Sequence, residues 1–526
     1  MPKVIFDWDL RYKKGIIISD FFDVIREHFS IANENANFLR KRLGPMAHIP
    51  LRKYAITESG RFEAGLFFDI YKYLNATYPL VEIEITGLLK QNLLFNFEFK
   101  KENIPELSLP LRYYQERSIM RSVKFGRGTI VVGTGGGKTL LMASLIKTMK
   151  NHLSKDKVTF IILLPQLLEQ TYEDFISYGI SKNEMSQWGG DHDFEKKPII
   201  LASVKTIESK LVSFKSLKPK IPKEITVDEK RNILENYKIK EKQRLKEWTS
   251  QKRLFQKIVD QTDLLLVDEV HSLRKENVFN KIIDLFDTPH RFGFTGTLPE
   301  SNLDKWNIIG RIGPIIEDIP SDTLRKEGYL SQVHTTVLQI SYKDSPIHNM
   351  NANESLRQAY EEECNFIFTN EYRNNIITHI SKTVDKNLLI LVNSLEHGKT
   401  LFDKISSVIP EKRVYYVRGE VPIEEREKIR KIMEKENNVV CIAISKVFSV
   451  GINITNLHFI LFALTGKAKI RLIQSIGRGL RLHETKDMLE IFDIADNLPY
   501  CNLHFEKRKK HYEQEKIPFT IKRLCQ

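Results

Sequence analysis

Two series of short, nearly continuous apolar runs organise the chain. The first comprises Thr129-Ile130-Val131-Val132, Val158 to Leu164, Ile199 to Ala202 and Leu264 to Val267. The second comprises Asn387 to Val392, Val414 to Val417, Val439 to Ile444 and Phe459 to Ala463. Runs apolar at every position predict strands covered on both faces, as in a parallel sheet. The segment Leu140 to Met149 predicts a helix directly after the first strand. Two consecutive α/β domains follow from this pattern.

Other stretches read differently. Residues 1 to about 105 mix short apolar segments with aromatics and basic clusters. Between Lys210 and Ile258 there are 15 Lys/Arg against 6 Asp/Glu, and Leu234, Tyr237, Leu245 and Trp248 recur at helical spacing. That stretch predicts a basic, amphipathic helical insertion in the first α/β domain, about 210–258. The expected division is 1–105, 106–325, 326–500 and a basic tail at 501–526. Lys507-Arg508-Lys509-Lys510 gives the tail the look of a charged terminal helix.

Composition narrows the class. A net charge of +14 points to a polyanionic partner. Cys364, Cys441, Cys501 and Cys525 lack paired spacing, so neither a disulfide framework nor a zinc cluster is expected. No apolar run approaches membrane-spanning length, and the start lacks a signal-type apolar segment. An intracellular, cytoplasmic protein is expected.

The candidate chemistry sits where strands end. Thr134, Gly135, Gly136, Gly137, Lys138 and Thr139 lie between the first strand and its helix, where backbone N–H groups cradle phosphates. Lys138 would reach the β/γ-phosphates of ATP and Thr139 would ligate Mg²⁺. Asp268-Glu269-Val270-His271 follows the strand Leu264 to Val267. Asp268 suits Mg²⁺ coordination, and Glu269 suits positioning the attacking water. Arg478 and Arg481 share one helix face with Gln474, which suits arginines that stabilise charge on a γ-phosphate. For each motif an ordinary role competes: a glycine turn, a solvated acidic loop, a basic surface.

Taken together, these strings resemble a superfamily 2 helicase of the DExH type. The resemblance runs from Leu111 to Asp496. It implies two RecA-like domains preceded by a small α+β nucleic-acid-binding domain, with ATP and Mg²⁺ as cofactors. Arg112, Tyr114 and Gln115 resemble the adenine-recognising motif, and Thr295 and Thr297 the coupling motif. Gly451 and Asn453 resemble a further nucleotide-contacting motif, with Asn453 where many relatives carry Asp. Lys138, Asp268, Glu269, His271, Gln474, Arg478 and Arg481 take the catalytic roles.

The resemblance implies strand contacts from Pro165, Gln166, Ser203, Thr206, Ser394, Arg418, Gly419 and Ser445. Arg40, Lys41 and Arg42 would hold duplex ahead of the motor. Ser394 to Gly398, Arg418-Gly419-Glu420 and Asn456-Leu457-His458 are similar to UvsW-type branch-migration helicases of tailed phages. That implies a DNA helicase remodelling branched DNA in recombination, repair and replication, alongside single-strand-binding or recombination proteins. Alternatives are an XPB-like repair helicase, a restriction-system motor subunit, or an ATP-gated clamp that does not unwind. The motifs do not distinguish DNA from RNA.

Overall fold

The computed structural model describes residues 2–33, 36–44, 49–93, 99–150, 153, 157–190, 192–209, 227–274, 277–343, 356–445, 454, 456–464 and 488–526. Its chain divides into two compact units, Met1–Val132 with Gly137–Asp318, and Gly133–Gly136 with Ile319–Gln526.

The first unit contains a seven-stranded sheet. Its order is Ile315–Ile319, Arg127–Val132, His290–Thr295, Thr262–Asp268, Val158–Leu163, Ile199–Ser203 and Met185–Trp188. The pairings from Arg127–Val132 through Met185–Trp188 are parallel. Every residue of Arg127–Val132, Val158–Leu163 and Ile199–Ser203 is buried. This is the covered-on-both-faces arrangement that the apolar runs predict. Helix Lys138–Met149 follows the first strand and is buried nearly all round, from Leu140 to Ile146.

An α+β module precedes this sheet in the same unit. Lys3–Asp9 pairs antiparallel with Lys14–Ser19 and parallel with Glu82–Ile85. Val4, Phe6, Ile25, Phe62, Phe67 and Ile70 form its core, which also takes in Ile309 of helix Asn302–Arg311. Contact there is close enough to require glycine. A Cβ on Gly65 would lie 1.9 Å from the Ile309 carbonyl oxygen. The module is therefore seated directly on the seven-stranded sheet domain rather than carried on a linker.

The insertion is a 35-residue helix, Val227–Gln261, which runs straight into strand Thr262–Asp268. Phe255, Ile258 and Val259 anchor its last turns in the core of the unit. Residues 210–226 lie outside the described part.

The second unit has an all-parallel seven-stranded sheet. Its order is Arg413–Val417, Val439–Ile444, Leu388–Val392, Phe459–Phe462, Met488–Asp496, Gln332–Ser341 and Phe519–Cys525. The segment expected as a basic tail is part of this domain. Helix Pro499–Gln514 buries Arg508 and Tyr512, both hydrogen-bonded to the buried Asp493 at 2.8 and 2.9 Å. Strand Phe519–Cys525 then joins the sheet edge. Lys507 to Lys510 are mostly surface positions on a docked helix, so the charge run concealed the anchoring residues between them. Among the described residues no helix is long and apolar enough to cross a membrane.

Candidate functional site

The glycine loop begins where strand Arg127–Val132 stops. Gly133 donates its N–H to Ile319 O at 2.9 Å, and Gly136 donates back to Gly133 O at 3.0 Å. Gly135 and Gly137 have φ of +82° and +78°, conformations that side chains rarely adopt. Helix Lys138–Met149 opens immediately afterwards, so its unsatisfied N–H groups face the loop. Thr134 and Thr139 are half-buried at either end of this turn. The Lys138 ammonium rests on Val132 O at 3.3 Å.

Gln115 ties this loop to the preceding helix, Tyr113–Phe125. Its Oε1 accepts from the Arg112 N–H at 2.8 Å, and its Nε2 donates to Gly137 O at 3.2 Å. A Cβ on Gly137 would meet that Nε2 at 2.6 Å. Arg112 in turn donates to the Tyr114 hydroxyl at 2.9 Å. Gln115 is 1% exposed, so it braces the glycine loop from behind.

The acidic pair ends strand Thr262–Asp268. Asp268 is buried, and its Oδ1 accepts the Glu269 N–H at 2.9 Å. Burial, with the Glu269 charge beside it, pushes the Asp268 carboxyl up to about 7, against Lys138, the Glu269 amide and His271. Glu269 itself has φ of +51°, left-handed backbone at a non-glycine residue. Such strain persists where surrounding contacts over-determine it, as at catalytic turns.

His271 then connects the Glu269 carboxylate to Thr295 and Thr297. Its Nδ1 lies 3.1 Å from Glu269 Oε2 and 3.1 Å from Thr295 Oγ1. Thr295 Oγ1 donates its own proton to Thr297 O at 2.9 Å, so it can only accept at His271. Nδ1 must therefore carry the imidazole proton. Glu269, His271, Thr295 and Thr297 form one chain of polar contacts, hydrogen-bonded from His271 to Thr297. The donor set fits a metal–triphosphate group: a lysine, a half-buried hydroxyl at a helix start, and a buried carboxylate whose charge needs a cation.

The proposed strand contacts all sit at carboxyl ends of parallel strands, where α/β sheets bind ligands. In the first unit Leu163 and Ser203 are register partners, which sets Pro165 and Gln166 beside Ser203 and Thr206. A Cβ on Gly189 would approach Ser203 Cβ at 2.7 Å and Thr206 Oγ1 at 2.9 Å. Gly189 is thus a shaping residue that sequence spacing did not flag.

In the second unit Val392 pairs with Ile444 and Val417 with Ala443, gathering Ser394, Arg418, Gly419 and Ser445. Several of these groups already have protein partners. Ser394 caps helix Leu395–Val408 by accepting the His397 N–H at 3.3 Å, and Arg418 pairs with Glu420 at 3.0 Å. Gly419 O accepts from Arg426 at 2.8 Å. Ser203 and Ser445 are buried.

In the N-terminal module Arg40 donates twice to Ile49 O, at 3.0 and 2.6 Å, while Arg42 is exposed. Lys41 side-chain placement, Gly451, Asn453, Gln474, Arg478 and Arg481 lie outside the described residues.

Parts of the chain are similar to known proteins. Residues 108–300 match the model for the type III restriction enzyme res subunit, and residues 371–483 match that for the helicase conserved C-terminal domain. The ATP-dependent DNA helicase uvsW of Enterobacteria phage T4 is 23% identical over 436 residues, spanning 78% of this chain and 76% of the relative. Putative helicase 22 of a Sulfolobus islandicus filamentous virus is 24% identical over 414 residues, 74% of this chain and 64% of its own length. Among solved structures, a fragment of a putative HsdR subunit of a type I restriction enzyme from Vibrio vulnificus shares the fold. It has a TM-score of 0.55 at 14% identity, covering 82% of this chain and 72% of that one.

Proposed function

We propose, from the premise that this chain is an ATP-dependent helicase of superfamily 2, that its track is branched DNA. Branch migration, fork regression and unwinding of D-loops or R-loops are the reactions that fit. The observation that carries the reading is the reach of the similarity to the T4 DNA helicase. It extends over 78% of the chain and 76% of that relative. The seating of the N-terminal module on helix Asn302–Arg311 supports it, since a duplex held by that module would move with the first unit.

The residues divide the work by their positions. Lys138 and the loop amides orient the phosphates, and Gln115 keeps the loop in shape. Thr139 and Asp268 hold magnesium, which neutralises phosphate charge when bound. Glu269 orients the attacking water, and its carboxylate is held by His271. The chain through Thr295 to Thr297 reports the state of Glu269 to the neighbouring strand end. Arg478 and Arg481 complete the γ-phosphate charge stabilisation. Pro165, Gln166, Thr206 and Arg418 contact the sugar–phosphate backbone, which carries no sequence information. The enzyme acts in the cytoplasm of a host cell.

A restriction-system motor is the second reading, favoured by the match over 108–300. Such a motor would run on plain duplex. The test is a panel of Holliday junctions, forks, D-loops, R-loops and linear duplexes at one salt concentration. Preferential, ATP-dependent conversion of the branched members is expected. Equal ATP stimulation by linear duplex, with no branch conversion, would favour the motor reading instead.

A further inference from the structure

The two sides of helix Val227–Gln261 are unlike. One side carries a half-buried stripe at three- and four-residue spacing, Leu234, Tyr237, Glu241, Arg244 and Trp248. Arg244 and Glu241 are paired there at 2.9 Å. The other side carries Arg231, Lys238, Lys242, Lys246, Arg253 and Lys257, all exposed. At 3.6 residues per turn these six lie within an arc of roughly 100°. Between Arg231 and Lys257 that arc holds one acid, Glu235, at 3.6 Å from Arg231.

A purely structural surface helix balances such charges. Helix Ile423–Lys435 of the same chain sets Arg430 between Glu427 at 2.8 Å and Glu434 at 3.2 Å. Lys238, Lys242 and Lys246 instead repeat at i, i+4, a spacing at which like charges destabilise an isolated helix. A polyanion laid along the row removes that repulsion. From Arg231 to Lys257 the row is about 39 Å long at 1.5 Å per residue, close to one turn of duplex at roughly 34 Å. No aromatic residue falls on the arc: Tyr237, Trp248 and Phe255 are on the other side. Single-strand platforms depend on aromatics for base stacking.

We propose that this face is a docking strip for the phosphate backbone of double-stranded nucleic acid. It rests on the reading of the chain as a DNA motor and adds the arm that grips the duplex. The strip holds its substrate by counterion release and reads no sequence.

The test is a triple variant, Lys238→Glu with Lys242→Glu and Lys246→Glu, checked for folding by circular dichroism. Binding is measured without ATP, by fluorescence anisotropy, to a blunt duplex of about three helical turns and to a single strand. Duplex affinity should fall roughly tenfold or more, and the slope of log K against log salt should drop by about three. Single-strand affinity should stay within about twofold. A control triple of the same charge change at the exposed Lys382, Lys428 and Lys435 should leave duplex binding near wild type.

Wild-type duplex affinity and slope in the first triple, or an equal loss in both triples, would overturn the strip. Should the glutamates unfold the helix, Lys→Gln at the same three positions must still lower the slope. If wild-type protein converts no branched substrate while the first triple loses duplex binding, the branch-remodelling reading fails and the strip stands.

Discussion

Buried acids on the two sheets fall into two kinds. Asp493 and Asp496 of the second unit have their counter-charge inside the protein, as does Glu317 of the first unit, which takes Arg117 at 2.8 Å. Asp496 takes Arg373 at 2.9 Å and the Tyr342 hydroxyl at 2.6 Å, and Asp493 takes Arg508 and Tyr512. Arg373 and Asp493 are fully buried. In the first unit Asp268 is equally buried, yet its neighbours include a second acid, and its carboxyl is pushed up to about 7. A buried pair tuned by internal partners serves the fold, and a buried acid left without full compensation serves a ligand. The comparison separates scaffold from site on one architecture.

The largest break in this comparison should come from Glu269→Gln. With Glu269 as the group proposed to position water, ATP turnover should fall roughly 10²- to 10⁴-fold in a steady-state phosphate-release assay. Folding should be near wild type, since Gln keeps the shape and removes charge repulsion from Asp268. Retained turnover would remove Glu269 from catalysis.

Asp496→Asn is the counterpart in the second unit. It leaves Arg373 buried without its counter-charge, and denaturant unfolding should show a loss of about 3–5 kcal/mol. A loss below about 1 kcal/mol would mean that the pair is not the internal compensation argued here.

His397 gives a smaller effect with a defined pH window. Burial, and then the Arg373 charge, push its pKa down to about 3 from 6.5. Its Nε2 donates to Asn374 Oδ1 at 3.0 Å and its ring stacks on Phe368. The unfolded chain therefore takes up a proton that the folded state refuses. Stability is full above pH 6.5 and is lost as pH falls towards 3. Between pH 6.5 and 5 the loss should be about 2 kcal/mol, and His397→Gln should flatten that slope.

Gly137→Ala should have the smallest effect. At φ +78°, with its Cβ pressed on Gln115 Nε2, alanine should cost about 1–2 kcal/mol and raise KM for ATP. An unchanged KM would show that the Gln115 brace does not shape the loop.

Legibility in the sequence followed burial. The apolar runs at Arg127–Val132, Val158–Leu163, Leu388–Val392 and Val439–Ile444 are covered on both faces and announced themselves. Gln332–Ser341 and Met488–Asp496 mix polar residues into strands that are no less part of the sheet. Strand His290–Thr295 opens with a histidine and an arginine, and Arg291 donates to Phe286, Thr288 and Arg311 carbonyls.

At the site, Lys138, Asp268 and Glu269 were readable because each lies within a few residues of a strand end. The link from His271 to Thr295 crosses 24 residues of sequence, and the brace from Gln115 to Gly137 crosses 22. Ties of that length belong to tertiary packing, which local spacing does not encode. Arg373 is harder still, because a helical arginine ordinarily signals surface.

The most direct test of the contrast is thermal unfolding of wild type and Asp268→Asn, each with and without Mg²⁺ and a non-hydrolysable ATP analogue. Asp268→Asn should match or exceed wild type without ligand, because a costly buried carboxyl has been replaced. It should then show little of the wild-type rise in Tm on adding Mg²⁺ with nucleotide, a rise worth about 2.7 kcal/mol at a hundredfold excess over Kd. A variant that is destabilised without ligand, yet gains as much from Mg²⁺ and nucleotide as wild type, would make Asp268 a scaffold residue and contradict the account.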